Sequence, residues 1–278
     1  MYPIVVSDLD GTLLSADHRI LPYTRKILNL LTTQGVQVIL ATGRHYVDVF
    51  KIRDNLGIKA YLITSNGARV HNEAGKLLLS VNLDEEIAST LYGMFFSDPD
   101  ILTHVYRNDN WYLSRYSIIE NGFFRESMFT GKLFEPNLLG TDGVSKIFFT
   151  CDKVNKLLLL EKILMSRWGE RVNTTFSCPS CLEVMAGGVS KGDALKEVIN
   201  YMGCSIKECI SFGDGLNDKE MLSITGKGCI MQNAHQRLKD SLPDLEIIGS
   251  NIEQAVPRYL CKIYSLINRK LSNSKNFY

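Results

Sequence analysis

Short apolar runs alternate with helical patterns along the first 80 residues of the chain. Runs typical of buried parallel strands lie at residues 4–6, 36–40 and 61–63. Between the first two, residues 23–31 carry isoleucine and leucine at helical spacing, with Pro22 before them and Gly35 after them, where helices favour these two residues. The pattern predicts βαβ units with parallel strands and right-handed crossovers. A hairpin formed by residues 69–71 and 77–79 follows.

The pattern changes between residues 84 and 187. Residues 84–96 have the periodicity of a helix with an acidic first turn, and residues 102–116 alternate aromatic and polar side chains about a turn at 108–110. Further elements are predicted as strands at residues 144–150, 171–176 and 182–185 and as a helix at residues 156–168. This order of elements predicts an antiparallel α+β module.

Two glycines, Gly187 and Gly188, offer a hinge at the end of this module, and the βα rhythm then returns. Helices are predicted at residues 190–202, 218–224 and 251–268, and strands at residues 209–212 and 228–231. We therefore predict an α/β fold with a Rossmann-like, doubly wound parallel sheet as its core, residues 1–83 and 188–278, interrupted by an inserted α+β cap, residues 84–187. The polar last residues, 270–278, are predicted to be disordered.

Composition and charge narrow the classes of function. A chain of 278 residues fits about two domains. Lysine and arginine total 31 against 30 for aspartate and glutamate, a formal net charge of +1, so nucleic acid is not an expected partner. No apolar stretch of the sequence is long enough to span a bilayer and the first residues carry no export signal, so we expect a cytoplasmic protein without a membrane partner. The seven cysteines are scattered and are expected to be reduced.

Two aspartates follow the first strand, in the sequence Asp8-Leu9-Asp10-Gly11-Thr12. Open α/β sheets place their ligand sites at the carboxyl ends of parallel strands. Residues two apart in an extended chain point the same way, so Asp8 and Asp10 are expected to converge on one cleft. Two carboxylates so close together are costly without a cation. The alternative, a loop that is merely rich in turn-forming residues, holds only if the motif stands alone.

Three further motifs fall at the same edge of the predicted sheet. The second strand ends at Thr42 and Gly43, whose hydroxyl and amide suit phosphoryl oxygens. Lys191 opens the helix after the two glycines, where a lysine can act as counter-charge and phosphate ligand, although a lysine in a first helical turn is more often a surface residue. The strand after that helix ends in an acidic motif that contains Asp214, Asn217 and Asp218.

Taken in this order, the four motifs resemble those of the haloacid dehalogenase (HAD) superfamily of phosphatases. The insertion at residues 84–187 resembles the C2B cap of the Cof-like, type IIB branch, and so does the sequence Thr64-Ser65-Asn66-Gly67-Ala68. Within that branch, residues 52–56, 181–192 and 234–240 are similar to bacterial phosphatases of pyridoxal phosphate and sugar phosphates. The resemblance covers nearly the whole chain, and it implies a Rossmann-like core with a cap that closes over the substrate.

The resemblance also implies a role for each motif. Asp8 is implied as the nucleophile that forms an aspartyl-phosphate, with Asp10 as general acid and then base. Mg²⁺ is the implied cofactor, held by Asp8, the backbone carbonyl of Asp10 and Asp214, with Asp218 in support. The groups implied to bind the phosphoryl group are the amides of Leu9 and Gly43 and the side chains of Thr42, Lys191 and Asn217. Crowding by like charges is expected to raise the pKa of Asp10 so that it can hold a proton.

The implied activity is that of a Mg²⁺-dependent phosphomonoesterase of small phosphate esters. Pyridoxal 5′-phosphate is the first expected substrate, and a sugar phosphate such as a hexose 6-phosphate is the alternative. A phosphomutase uses the same aspartyl-phosphate chemistry but returns the phosphoryl group to a sugar. A non-catalytic module that binds phosphate esters is a further hypothesis, against which the intact set of Asp8, Asp10, Lys191 and Asp214 argues.

Some other residues have an ordinary structural interpretation beside a functional one. Cys178 and Cys181 have the spacing of a redox pair, but such a pair belongs at the start of a helix, and a strand is predicted here, which favours a structural role. The aromatic residues and arginines of residues 106–116 favour sheet packing over contact with a substrate.

Three residues near the predicted cleft have open roles. His45 either contacts substrate or, as is more common at the start of a helix, makes local hydrogen bonds. Arg44 either meets a phosphate or pairs with Asp48 four residues later. Glu183, on the last strand of the predicted cap, is the cap residue that we most expect to face the active site.

Overall fold

The computed structural model describes residues 1–116 and 129–265, whose strands form two sheets. The first sheet contains β1 Ile4–Ser7, β2 Gln37–Ala41, β3 Tyr61–Thr64, β4 Arg69–His71, β5 Leu77–Ser80, β12 Cys209–Gly213, β13 Lys227–Met231 and β14 Glu246–Ile248. The second sheet contains β6 Leu102–Arg107, β7 Asn110–Leu113, β8 Lys132–Leu133, β9 Val144–Thr150, β10 Val172–Cys178 and β11 Cys181–Ala186. The helices are α1 Pro22–Thr33, α2 Tyr46–Leu56, α3 Glu85–Met94, α4 Val154–Trp168, α5 Lys191–Met202, α6 Lys219–Ile224, α7 Gln236–Ser241 and α8 Ala255–Ile263.

The first sheet has the strand order β14-β13-β12-β1-β2-β3-β4-β5. The strands from β14 to β3 run parallel, and β4 and β5 are added as antiparallel strands at one edge. Successive residues of a strand point to opposite faces. Leu40 of β2 therefore packs in one apolar cluster with Leu28 of α1, whereas its neighbour Ile39 packs in another with Leu195 of α5. The sheet is doubly wound, as the sequence predicts.

The ends of two helices follow signals in the sequence. Pro22 is the first residue of α1, and Gly35 just beyond its end has a φ of +84°, in the left-handed region that favours glycine. Ser190 caps α5 by accepting a hydrogen bond from the backbone N–H of Asp193 at 3.0 Å. This cap fixes Lys191 as the first residue of the helix, next to the carboxyl ends of the core strands.

The second sheet has the strand order β10-β11-β9-β6-β7-β8 and is antiparallel except for the pair β7 and β8. Helices α3 and α4 pack on one of its faces, where Leu91 and Leu160 join a cluster with Phe149 of β9. Phe148 points to the other face and packs with Tyr106. That face looks towards the first sheet, because Lys146 on it contacts the carboxyl end of β2. We call the second sheet with α3 and α4 the cap, and the first sheet with its helices the core.

The predicted strands are present, with ends displaced by three residues at most, and the predicted α/β fold class is confirmed. The elements that the periodicity did not predict are α2, α7, β8 and β14, of which all but α2 are short. The helix predicted at 251–268 begins only at Ala255, after Gln254 with a left-handed φ of +56°. Its predicted end and the disorder predicted for 270–278 lie outside the described residues. The division of the chain at residues 83/84 and 187/188 stays a prediction.

Gly187 and Gly188, the predicted hinge, lie where the chain leaves β11 for α5. A Cβ at Gly187 would lie 1.8 Å from the carbonyl oxygen of Glu170, so this position requires glycine for close packing. Gly188 has a φ of +73°. None of the helices within the described residues has the length and hydropathy that crossing a membrane requires.

Truncation of Leu40 tests the packing of the core. Leu40 of β2 is fully buried against the helices on one face of the core sheet. Leu40→Ala should therefore lower the free energy of unfolding by about 2–5 kcal/mol, because apolar burial is lost and a cavity is left behind. Leu138→Ala is the control, because Leu138 is 84% exposed, and it should leave stability unchanged within about 0.5 kcal/mol. Urea denaturation measures both; equal effects of the two substitutions would contradict this packing.

Candidate active site

A cavity of about 620 Å³ lies between the carboxyl ends of the core strands and the cap. From the core it is lined by three groups of residues, which follow β1, β2 and β12: Asp8, Asp10 and Gly11; Thr42, Gly43 and Arg44; Asp214, Gly215 and Asn217. From the cap it is lined by residues that include Tyr106, Lys146, Phe148, Cys181 and Glu183. The volume is in the range of small-molecule sites. The structure thus brings the motifs from three strand ends into one place, as the sequence predicts.

The chain turns sharply after Asp8, over residues Leu9–Leu13. Gly11 in this turn has a φ of +75°, and a Cβ there would lie 2.2 Å from Oδ2 of Asp214. Glycine is therefore required both by the backbone conformation and by the close approach of the carboxylate. Thr12 follows, and its hydroxyl donates to Oδ1 of Asp214 at 2.7 Å. The turn after β1 thus fixes the acidic residue that follows β12.

Lys191 lies beneath the cavity, fully buried between two carboxylates. Its ammonium group donates to Oδ1 of Asp8 and to Oδ1 of Asp218, each at 2.6 Å. Burial opposes the charged form, but the two carboxylates outweigh it and raise the pKa of Lys191 above its ordinary value. Lys191 is therefore a permanent positive charge beside Asp8.

Asp218 supports the loop after β12. Its Oδ2 accepts hydrogen bonds from the backbone N–H groups of Asp214 and Gly215, each at 3.0 Å, while Oδ1 accepts from Lys191. Both oxygens are therefore engaged within the protein. This arrangement is compatible with the supporting role predicted for Asp218.

The buried charges do not balance within the protein. Burial, together with the negative charges of Asp218 and Asp214, raises the pKa of Asp8 well above its ordinary value, although Lys191 opposes the shift. Burial and Asp218 likewise raise the pKa of Asp214 to about 7. Carboxylate oxygens of Asp8, Asp214 and Asp218 lie within 4.8 Å of one another. Oxygen donors that are crowded and short of positive charge fit a hard divalent cation such as Mg²⁺.

Asp10 differs from the expectation, because Arg44 and His18, rather than other carboxylates, contact its side chain. Arg44 donates to both oxygens of Asp10 at 2.6 Å, and Nδ1 of His18 lies 2.7 Å from Oδ1. Although burial opposes ionisation, hydrogen bonds from Arg44 and His18 lower the pKa of Asp10 below its ordinary range. The prediction that like charges raise this pKa is therefore wrong for this arrangement. Arg44 also pairs with Asp48 at 2.5 Å, as the i, i+4 spacing predicts.

Three of the five predicted phosphate-binding residues line the same cavity. The hydroxyl oxygen of Thr42 accepts from the backbone N–H of Arg44 at 3.2 Å, which leaves its hydrogen able to donate elsewhere. Asn217 donates one N–H to Oδ1 of Asn66 at 3.1 Å and has a second to offer. Thr42, Gly43 and Asn217 line the cavity, whereas Leu9 and Lys191 lie behind the lining residues.

His45 joins core and cap rather than facing the cavity. Its Nδ1 accepts from the N–H of Val47 as the cap of α2, and its Nε2 donates to the carbonyl of Asn108 in the cap at 2.8 Å. The ring stacks on Phe129 with 4.5 Å between centroids. The local hydrogen bond predicted for His45 is present, and the contact with Asn108 is one that sequence reasoning missed.

Glu183 lines the cavity, as expected, but forms a buried ion pair with Lys146 at 2.5 Å. Sequence reasoning missed Lys146. The available signal was a lysine in the middle of an otherwise apolar strand, Val144–Thr150. Among the aromatic residues and arginines weighed at the start of the cap, Tyr106, Arg115 and Tyr116 line the cavity, contrary to the sheet packing that the sequence favours for them. Trp111 packs against His104 and Phe129, as expected.

Cys178 and Cys181 face each other across the turn between β10 and β11, both as free thiols that line the cavity. The strand predicted after Cys181 is present as β11. A hydrogen bond from Cys181 lowers the pKa of the Cys178 thiol to about 6, although burial opposes the shift.

Comparison with known proteins gives one consistent family. Residues 5–260 match the family model of haloacid dehalogenase-like hydrolases. A protein of Buchnera aphidicola (subsp. Schizaphis graminum, strain Sg) is 48% identical over 269 residues, which are 97% of this chain and 98% of that protein. The HMP-PP phosphatase of Serratia proteamaculans (strain 568) is 38% identical over 264 residues, which are 94% of each chain.

Solved structures share the fold. A haloacid dehalogenase-like hydrolase from B. subtilis superposes with a TM-score of 0.84 at 24% identity, over 93% of this chain and 98% of the other. The HAD subclass IIB sugar phosphatase BT4131 superposes with a TM-score of 0.79 at 21% identity, over 94% of this chain and 98% of the other. The core with its inserted cap is therefore the fold of these proteins.

The buried histidine at the junction of core and cap should make stability depend on pH. Burial lowers the pKa of His45 to about 4, whereas the unfolded chain has the ordinary value of about 6.5. Between these values the unfolded state binds more protons at this residue, so His45 should contribute a fall of up to about 3 kcal/mol in the free energy of unfolding as the pH drops from 6.5 to 4. His45→Asn keeps a capping side chain and should flatten this part of the pH profile.

The matched control is His235→Asn. His235 caps α7 in the same way, by accepting from the N–H of Arg237, but it is only half-buried. Urea denaturation at a series of pH values measures the wild type and both variants. An unchanged slope in His45→Asn, or an equal flattening in His235→Asn, would show that His45 is not the group responsible.

Proposed function

The chain belongs to the haloacid dehalogenase-like hydrolases and is a phosphoric monoester hydrolase, and from this premise we propose a Mg²⁺-dependent phosphatase that acts through an aspartyl-phosphate on Asp8. The observation that carries the proposal is the position of Asp8, which lines the cavity and is held by the buried ammonium group of Lys191 at 2.6 Å. A carboxylate so placed can attack a phosphoryl group that enters the cavity.

Asp8, the backbone carbonyl of Asp10 and Asp214 are the groups that we propose to hold Mg²⁺. When bound, the cation would supply the positive charge that the acidic cluster lacks and would neutralise phosphoryl oxygens. Lys191 contributes a fixed positive charge on the other side of Asp8. Asp218 keeps Lys191 and the loop of Asp214 in place through both of its oxygens.

Binding and orientation of the phosphoryl group are proposed for donors that surround Asp8. The hydroxyl of Thr42 and the second N–H of Asn217 remain able to donate into the cavity, and the amides of Leu9 and Gly43 complete the set. Phosphoryl transfer depends mainly on positioning and charge stabilisation, so these donors are expected to contribute most of the rate enhancement beyond the nucleophile itself.

Asp10 is proposed as the group that moves protons. In attack by Asp8, the P–O bond to the leaving alcohol breaks and that oxygen takes a proton from Asp10; in the second step, Asp10 takes a proton from the water that hydrolyses the aspartyl-phosphate. The contacts with Arg44 and His18 keep Asp10 ionised, which suits the second step. Proton donation in the first step therefore requires these contacts to loosen.

Pyridoxal 5′-phosphate is the substrate that we propose first. Tyr106 and Phe148 give the cap side of the cavity an aromatic lining, which suits a flat ring. Relatives named HMP-PP phosphatase make HMP-PP the second candidate. A hexose 6-phosphate is the remaining alternative, in keeping with the sugar phosphatase that shares the fold.

Replacement of the nucleophile tests the chemistry and the substrate together. Release of inorganic phosphate is measured from pyridoxal 5′-phosphate, HMP-PP and a panel of hexose phosphates with Mg²⁺ present. Asp8→Asn keeps the shape of the side chain but removes the nucleophile, so kcat should fall by about a thousandfold or more. Asp17→Asn, at an exposed aspartate of the same segment, is the control and should retain wild-type activity.

Each hypothesis gives a different result in this assay. Release that disappears in Asp8→Asn, with kcat/KM for one substrate at least about tenfold above the rest, supports the phosphatase and identifies its preference. Conversion of one hexose phosphate into another without free phosphate indicates a phosphomutase. Turnover in Asp8→Asn at the wild-type rate would contradict the mechanism. Binding of a phosphate ester without turnover in the wild type indicates a binding module.

Removal of divalent cations gives an independent test. Chelation with EDTA should abolish phosphate release, and added Mg²⁺ should restore it, because the cluster of Asp8 and Asp214 lacks positive charge without a cation. In Asp214→Asn the Mg²⁺ concentration for half-maximal activity should rise by about tenfold or more. Activity that persists in EDTA, or an unchanged Mg²⁺ requirement in Asp214→Asn, would contradict the proposed metal site.

A further inference from the structure

A buried ion pair lies at the junction of cap and core, outside the catalytic steps described above. Lys146 on β9 and Glu183 on β11 point to the cavity face of the cap, and their side chains are 2% and 4% exposed. The ammonium group also lies over the rings of Phe148 and Tyr106, at 4.5 and 5.0 Å from their centroids. A buried pair of this kind usually adds less stability than well-packed apolar residues of the same size. Its presence therefore requires an explanation other than stability.

Lys146 reaches from the cap to the loop after β2. Its ammonium group donates to the carbonyl oxygen of Gly43 at 2.6 Å. This carbonyl belongs to the peptide unit between Gly43 and Arg44, whose N–H donates to the hydroxyl oxygen of Thr42 at 3.2 Å. A fixed peptide plane thus sets the direction in which Thr42 can donate its hydroxyl hydrogen. Lys146 therefore acts on Thr42 through the backbone.

Glu183 reaches the loop after β12 through Asn66. Its Oε2 accepts a hydrogen bond from the side-chain amide of Asn66 at 2.5 Å. This bond fixes the orientation of the amide, because the NH₂ group must face Glu183. The other end, Oδ1 of Asn66, then accepts from Asn217 at 3.1 Å. One N–H of Asn217 is held in this way, and the second is directed elsewhere. Glu183 therefore acts on Asn217 through one intervening side chain.

Gly43 packs closely against the side chains of Asn66 and Glu183. A Cβ at Gly43 would lie 3.0 Å from Oδ1 of Asn66 and 3.2 Å from Oε1 of Glu183, so a larger residue would require these side chains to shift. Asn66 has a left-handed φ of +56° and is 1% exposed. Movement of the cap away from the core would remove the Gly43 carbonyl from Lys146 and the Asn66 amide from Glu183. Both contacts therefore hold only while cap and core lie as close together as they do in this structure.

We propose that Lys146 and Glu183 are positioning residues of the cap, which orient Thr42 and Asn217 for the phosphoryl group only while the cap is closed. The proposal rests on the proposed phosphatase function, in which Thr42 and Asn217 bind that group. It links closure over a substrate to the completion of the phosphate-binding site. The two residues act through Gly43 and Asn66 and need no contact with the substrate.

The test uses Lys146→Met, Glu183→Met and the double variant. The matched control is Lys227→Met/Glu246→Met, because this pair also joins neighbouring strands, β13 and β14, at 2.7 Å but lies away from the cavity. Values of kcat and KM are measured with Mg²⁺ for the preferred phosphate ester and for p-nitrophenyl phosphate, which have different leaving groups. The dissociation constant of orthovanadate is measured by calorimetry, and thermal melting shows whether each variant folds.

The expected result is a fall in kcat of tenfold to a hundredfold, on the order that misplacement of a reacting group causes. The factor should be the same for both substrates, with KM changed by less than about threefold, since the lost orientation concerns the phosphoryl group that they share. Orthovanadate should bind less tightly by a similar factor. The control pair should change none of these quantities by more than about twofold.

A single substitution leaves one buried charge without its partner, and such a variant can fail to fold. The double variant provides the test in that case. It removes both charges together, so it should melt closer to the wild-type temperature than either single variant does, although the Gly43 carbonyl and the Asn66 amide each lose a partner. It should remain slow because these two hydrogen bonds are lost. Wild-type kcat in the folded double variant would overturn the proposal. So would an effect confined to KM or to one substrate, which would indicate contact with the leaving group.

Failure of the proposed function gives a different pattern. If the wild type releases phosphate from neither substrate, the phosphatase proposal fails. The affinity for orthovanadate then still decides the positioning proposal: weaker binding in the double variant, with the control unchanged, supports it, and equal binding overturns it.

Discussion

The arrangement of the active site depends on one buried ammonium group. Lys191 lies at the start of α5 with no exposed surface, and it is stable there because Asp8 and Asp218 each accept a hydrogen bond from it at 2.6 Å. An ammonium group without these partners could not be buried at such a place. The ends of β1 and β12 and the first turn of α5 must therefore come together for the core to fold. Folding and assembly of the proposed catalytic groups are in this sense one event.

The single positive charge of Lys191 cannot neutralise all the carboxylates around it, and this deficit of positive charge has a chemical consequence. Three carboxylates, those of Asp8, Asp214 and Asp218, lie together with one lysine, and the pKa of Asp214 rises to about 7. Such a deficit of positive charge supports the proposed divalent cation, which would in turn offset the charge of an anionic phosphoryl group. Asp10 escapes this effect because Arg44 and His18 surround it. The two aspartates of one motif thus have opposite electrostatic environments, which suits a nucleophile and a proton carrier.

The sequence predicts those features that depend on local pattern, and it does not predict those that depend on contacts between residues far apart in the chain. Asp8, Thr42, Lys191 and Asp214 stand at strand ends or helix starts, so the order of elements alone places them together at one edge of the sheet. The environment of Asp10 could not be predicted in this way, because it depends on how the side chain of Arg44 turns back across the loop after β1. The contacts between cap and core are even harder to predict, because no local pattern in the sequence encodes them. A lysine within an apolar strand indicates an unusual site, but only the fold pairs it with Glu183.

The contacts of the cap indicate why core and cap need to be considered together. In the proposed function, donors of the core recognise only the phosphoryl group, which all phosphate esters share, whereas Tyr106 and Phe148 line the cap side of the cavity, which is left for the rest of the substrate. These same two rings lie beneath the ammonium group of Lys146, which contacts Gly43. A change in the aromatic lining therefore also moves the lysine that holds the loop after β2. In the proposed function, replacement of either ring would change both the choice of substrate and the rate of catalysis, whereas loss of Lys146 would change the rate alone.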